Sequence, residues 1–170
     1  MSGINPEIFR EYDIRGIAES DLTDPVVFTL GQALGTYLGA QGCQNLTLGR
    51  DGRLSSERLM EQLSGGLQAT GLDVVDLGVC PTPVLYYSLH QLDPDAGVMI
   101  TGSHNPPEYN GFKVAVGSLT IHGEQIQEVR KIAESGEFLS GEGIKEEVSL
   151  SSYYRDYLAK ALGRLSNPQR

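Results

Sequence analysis

Apolar residues recur along this chain in two rhythms, and their alternation lays out the fold. Val27, Leu30, Leu34, Tyr37 and Leu38 share one face of a helix, as do Leu59, Leu63 and Leu67, and later Ile126, Val129, Ile132 and Ala133. Between them lie short β-type runs at 45–49, 73–79 and 98–101, then a pair of short strands at 112–116 and 119–121 joined by Gly117-Ser118. Asp24-Pro25 predicts a helix start with Asp24 as N-cap, Ser55 or Ser56 caps the second helix, and Pro81 and Pro83 open a short helical stretch at 84–90. Gly71 and Gly136 mark helix ends. Residues 8–17 are too charged for a central strand and read as an edge strand turning at Gly16. This order predicts an α/β three-layer sandwich, a mixed and mainly parallel sheet between helices, with functional loops beyond the carboxyl ends of the parallel strands.

Two segments sit less easily in that scheme. Gly31, Gly35 and Gly39 repeat inside the first helix, where each costs about 1 kcal/mol relative to alanine, so close approach to the sheet is expected to compensate. Residues 137–152 form a polar connector in which Val148 could extend a short strand. Tyr154, Leu158, Ala161, Leu162 and Leu165 then return to helical spacing, and that stripe needs a packing partner. The chain is accordingly divided into a domain over 1–150 and a linker or helix over 151–170.

Length and charge narrow the function. A chain of 170 residues buries roughly 70% of the surface its unfolded form exposes and needs no disulfide to fold. Cys43 and Cys80 show no metal-ligand spacing and read as reduced, buried thiols of a cytoplasmic protein. Thirteen Lys and Arg against 22 Asp and Glu give a net charge of -9, which disfavours nucleic acid and anionic membrane as partners of the whole surface. An anionic ligand must be captured locally.

The local candidate is Thr101-Gly102-Ser103-His104-Asn105-Pro106-Pro107, followed by Asn110-Gly111-Phe112-Lys113. It directly follows the apolar run Ala96-Gly97-Val98-Met99-Ile100. Gly102 would let the backbone approach a ligand, Asn105 tolerates left-handed geometry, and the prolines hold the loop open, so Ser103 is presented as a nucleophile. No Gly-x-Ser-x-Gly elbow is present, and adjacent side chains on an extended segment point apart, so His104 reads as a brace rather than a base. Phosphoryl transfer suits the inventory better, because it needs mainly positioning and positive charge. Arg10, Arg15, Arg50, Arg53 and Lys113 supply that charge, and Tyr12 could line a sugar-sized cleft. His90 and His122 lie apart from the loop and read as structural or exposed. Glycine-rich nucleotide motifs are absent from the sequence.

Three motifs in order, Phe9-Arg10-Glu11-Tyr12-Asp13-Ile14-Arg15-Gly16, Gly49-Arg50-Asp51-Gly52-Arg53-Leu54-Ser55-Ser56 and the serine loop through Lys113, resemble the first domain of the α-D-phosphohexomutases, closest to the phosphomannomutase/phosphoglucomutase branch. The resemblance covers roughly residues 4–150. It implies that Ser103 is a phosphoserine that exchanges a phosphoryl group with a hexose phosphate through a hexose 1,6-bisphosphate. It further implies Mg2+ bound partly through that phosphate, Arg15 and Tyr12 beside the phosphoserine, Lys113 as acid/base or charge stabiliser, and His104 and Asn105 shaping the loop. The family's later metal, sugar and phosphate loops do not occur in this sequence, so a first-domain fragment is expected, without complete turnover and lacking domains II to IV as partners. The competing reading is a non-catalytic module that keeps the fold and binds a sugar phosphate or a protein.

Overall fold

The computed structural model describes residues 3–163. Seven strands form one mixed sheet: β1 (Ile14–Ile17), β2 (Asn45–Arg50), β3 (Asp73–Val79), β4 (Ala96–Ile100), β5 (Tyr109–Val116), β6 (Leu119–Thr120) and β7 (Lys145–Glu147). The order is β1-β5-β4-β2-β3-β7, with β6 paired to β5. Pairings of β2 with β3 and β4, and of β3 with β7, are parallel, whereas β5 is antiparallel to β1, β4 and β6. Only β5 therefore runs against the other six, which makes the sheet mainly parallel in direction.

Five helices, α1 (Asp24–Gly39), α2 (Ser56–Gln68), α3 (Thr82–Gln91), α4 (Glu124–Ser135) and α5 (Ser151–Leu162), divide between the two faces. Period-two alternation in the strands explains the division. Leu46, Leu48, Val98, Ile100, Phe112 and Val114 join the larger core with α1, α2 and α4. Leu77 and Met99 point the other way, where they pack with Cys80, Val84 and Leu85 of the α3 side. Every helix-face residue expected for α1 is buried.

Several local expectations shift. Thr23, not Asp24, is the N-cap of α1, and the Asp24 carboxylate instead accepts from Arg58 at 2.6 Å. Gly16 lies within β1 rather than at a turn; a Cβ there would meet the Asp21 side chain at 2.7 Å. The α1 glycines do not approach the sheet: Gly31 meets α2, Gly35 the Thr70 side chain just beyond α2, and Gly39 the Leu139 side chain of the connector. A Cβ on Gly31 would stand 2.9 Å from the Gly66 Cα, and one on Gly66 would stand 2.8 Å from the Gly31 Cα, so two glycines let the helix backbones touch. The 137–152 connector contributes β7 on the exposed edge beside β3. No residue of α5 is buried, but Tyr154 and Tyr157 each set their rings 5.3 Å from that of Tyr87 on α3. That aromatic contact is the partner of the helical stripe, whose Leu165 lies outside the described residues.

Candidate functional site

The serine loop leaves the carboxyl end of β4 and returns as β5, so its two ends are hydrogen-bonded neighbours in the sheet. Asn110 and Gly111, expected in the loop, already belong to β5. Ser103 is exposed and has a φ of 54°, a left-handed backbone in a residue with a Cβ. The left-handed position therefore falls on Ser103, not on Asn105. Asn105 instead donates its side-chain Nδ2 to the Gly102 carbonyl at 3.2 Å. The positive φ also overturns the expectation that Ser103 and His104 diverge: the segment is not extended, and Ser103 Oγ lies 3.2 Å from His104 Nδ1.

Three of the five expected cations gather at this loop. Arg15, buried on β1, donates Nη1 to the Gly102 carbonyl at 2.5 Å, while its Nε and Nη2 hold Asp13 Oδ2 at 3.1 and 2.5 Å. Lys113 on β5 reaches the same Asp13 oxygen at 3.5 Å. Arg15 pairs with Gly111 in the sheet, and Lys113 follows two residues later, so both side chains rise on one face. Burial alone would raise the Asp13 carboxyl, but hydrogen bonding and charge from Arg15 and then Lys113 hold it below its ordinary 3.8.

Arg53 is engaged differently from the phosphate-binding role expected of it. Its Nη1 donates to the carbonyls of Pro106 and Tyr109 at 2.6 and 3.0 Å, its Nη2 to those of Asn105 and Ser103 at 2.7 and 3.2 Å, and its Nε faces Asp51 Oδ2 at 3.3 Å. Both Nη groups are thus engaged with loop carbonyls, and Nε stands in ion-pair range of Asp51. Gly102 is needed for this guanidinium, since a Cβ at Gly102 would come within 2.7 Å of Arg53 Nη1.

Arg50 turns elsewhere. It sits 3.6 Å from Glu57 and lines an open cleft of about 590 Å³ with Asp76 and Lys145, at the ends of β2, β3 and β7. Arg10 is exposed and closes a turn through its backbone N–H to the Asp13 carbonyl. Tyr12 is 67% exposed, its ring 6.4 Å from that of His122.

Sequence reasoning missed the polar supports. Asp51 Oδ1 accepts from the Ser56 hydroxyl at 2.6 Å and the Arg53 N–H at 3.1 Å, and Oδ2 accepts from the Gly102 N–H at 3.1 Å. Burial alone would raise this carboxyl too, but the bonds from Ser56, Arg53, Thr101 and Gly102 outweigh it and keep it below 3.8. Thr101 Oγ1 accepts from the Ser103 N–H at 2.9 Å. Fully buried Asn110 donates to both Ser55 and Ser56 hydroxyls at 2.9 Å, tying β5 to the start of α2. The available signal was the i, i+2 spacing of Asp13 and Arg15, which puts a carboxylate and a guanidinium on one strand face.

Fold and loop together define a three-layer α/β domain that presents an exposed serine, backed by arginine and lysine, beyond the end of a parallel strand. Residues 6–140 match the family model described as "Phosphoglucomutase/phosphomannomutase, alpha/beta/alpha domain I". The phosphomannomutase/phosphoglucomutase of Pseudomonas aeruginosa strain PAO1 is 46% identical over 158 residues, covering 91% of this chain and 34% of that protein. The phosphoglucomutase of Neisseria gonorrhoeae is 42% identical over 160 residues, 93% of this chain and 35% of its own length. A solved structure of a phosphoglucomutase/phosphomannomutase family protein from Burkholderia thailandensis superposes with a TM-score of 0.87 at 37% identity, covering 98% of this chain and 37% of that one. This chain belongs to the phosphoglucomutase/phosphomannomutase family and contains its domain I. It spans about a third of the length of the curated relatives it matches.

Proposed function

We propose that this chain is the phosphoryl-carrying domain of a hexose-phosphate mutase, with Ser103 as the carrier. The observation that carries the reading is the presentation of Ser103: an exposed hydroxyl on a left-handed backbone, on a loop held from beneath by Arg15 and Arg53. The names of the relatives supply the substrate class, a glucose or mannose phosphate.

In the forward half, a sugar hydroxyl oxygen attacks the phosphorus carried on Ser103. The new P–O bond forms, the P–Oγ bond breaks, the hydroxyl proton leaves and Oγ is reprotonated. The product is a hexose 1,6-bisphosphate. In the return half its other phosphoryl group passes to Ser103 Oγ, leaving the isomeric monophosphate. Lys113, held at the foot of the loop by Asp13, stabilises charge on the transferred group or carries the proton. His104 is within hydrogen-bond reach of Oγ and orients it.

Mg2+ prefers hard oxygen ligands, and a phosphate on Ser103 would offer them and would be partly neutralised by the ion. Among the described residues no group of three or more His, Cys, Asp or Glu converges to hold a metal. Asp13 and Asp51 are already engaged by cations, hydroxyls and amides. The fit is thus partial: a phosphate on Ser103 would be one ligand, and no carboxylate cluster among the described residues joins it.

The test is incubation with hexose 1,6-bisphosphate and Mg2+, followed by intact-mass measurement. One phosphoryl group is expected on the wild type and none on Ser103→Ala. Equal labelling of the two proteins would sink the assignment of Ser103 as carrier.

A further inference from the structure

A left-handed backbone is disfavoured for an L-serine, so the φ of 54° at Ser103 requires something outside the residue to impose it. The loop shows what does. Carbonyls of Ser103, Asn105, Pro106 and Tyr109 all converge on the Arg53 guanidinium, from both sides of the loop's tip. Asn105 and Pro106 each precede a proline, so these peptide units offer an acceptor and no N–H. The two prolines thus supply one-sided acceptors to the fork, beyond holding the loop open.

The orientation of the reactive residue follows from peptide geometry. No peptide bond among the described residues is cis, and a planar trans unit points its C=O and N–H in opposite directions. Drawing the Ser103 carbonyl toward Arg53 therefore turns the following N–H, that of His104, away from it. Gly102 packs against the same guanidinium, where a Cβ would collide. Asp51 orients Arg53 through its Nε and fixes the Gly102 N–H as well.

We propose that Arg53 is the positioning residue of the nucleophile: its planar fork gathers the loop carbonyls, sets the left-handed backbone of Ser103, and requires glycine at 102 to do so. Arg53 acts through the loop rather than on the phosphoryl group. The proposal rests on the reading of Ser103 as the carrier, while its test does not depend on transfer. Lysine cannot substitute, because a compact ammonium has three donors and no planar fork to span four carbonyls.

The test uses the full 170-residue chain, isotopically labelled, as wild type, Arg53→Lys and Gly102→Ala. Two NMR readouts are taken: amide exchange at Gly102, Ser103 and Asn105, and the Ser103 Cα and Cβ shifts, which report its left-handed backbone. Both variants are expected to exchange about tenfold faster at these loop amides and to lose the left-handed Ser103 signature, while the amides of Leu46, Leu48 and Val98 stay within about twofold of wild type. Gly102→Ala keeps the charge of Arg53, so the same signature there assigns the effect to the geometry of the fork. Wild-type exchange and shifts in Arg53→Lys would overturn the proposal. So would equal loss of protection in loop and core, since Arg53 would then support the whole fold rather than the serine. Equal bisphosphate labelling of wild type and Ser103→Ala would remove the carrier reading without altering these NMR outcomes.

Discussion

Neither Asp51 nor Asp13 contacts Ser103 Oγ, yet each braces the serine loop, Asp51 through the Gly102 N–H and Asp13 through Arg15. Their carboxyls are held below 3.8, whereas an unfolded Asp titrates near about 3.9. Their stabilising contribution is thus present above the unfolded value and is lost as pH falls through the lower folded values. Urea denaturation should show stability declining from pH 5 toward pH 3, with Asp51→Asn flattening part of that decline. At pH 7 the same variant should cost about 1–3 kcal/mol, because the buried Ser56 and Gly102 donors lose a charged acceptor. An unchanged acid slope in Asp51→Asn would refute the assignment. At this scale the sequence disclosed the exposed serine loop and three cations that gather at it, because a Gly-Ser-His-Asn run directly follows an apolar strand. It did not disclose that Arg53 faces inward or that Ser103 takes the left-handed turn, since both depend on carbonyl directions set by tertiary packing.

Among the elements, the helices were legible from their apolar stripes, and β3 has the span its pattern predicted, Asp73–Val79. The glycine repeat in α1 was legible as a close approach, but not its target, because a bare helix backbone suits a sheet or another helix equally well. Gly66 on α2 is the matching half. Gly66→Ala should therefore destabilise the chain by about 3 kcal/mol through overpacking, despite the better helix propensity of alanine. A denaturation midpoint at or above wild type would show that α1 and α2 can separate freely. The short β7 was hard to see because an edge strand of three exposed residues, Lys145–Glu147, has no apolar alternation.

On the scale of the whole molecule, α5 is the helix least committed to the fold, since none of its residues is buried. Removing residues 151–170 should cost no more than about 2 kcal/mol, the worth of its aromatic contacts with Tyr87, and leave the sheet intact. Thermal melting of the shortened chain tests this; cooperative unfolding on truncation would place α5 inside the domain. Cys80, buried against α3 with its thiol pushed up to about 11, should resist alkylation until the chain unfolds. Thiol labelling with and without urea measures that. Among the described residues no helix is long and apolar enough to cross a membrane.

The single reversed strand has a consequence for how the site comes into being. Because β5 returns directly beside β4, Ser103 and Lys113 belong to one hairpin and meet on a single short loop closure. Arg15 and Asp13 join from 87 residues away in sequence, judged by the Arg15 bond to Gly102, and Arg53 from about half that separation. Ser103 and Lys113 therefore meet at a small cost in chain entropy, while the contacts of Arg15 and Arg53 with the loop need distant segments to dock. A chain interrupted during folding would carry the hairpin that bears Ser103 before it carried the arginine contacts that hold the loop's shape.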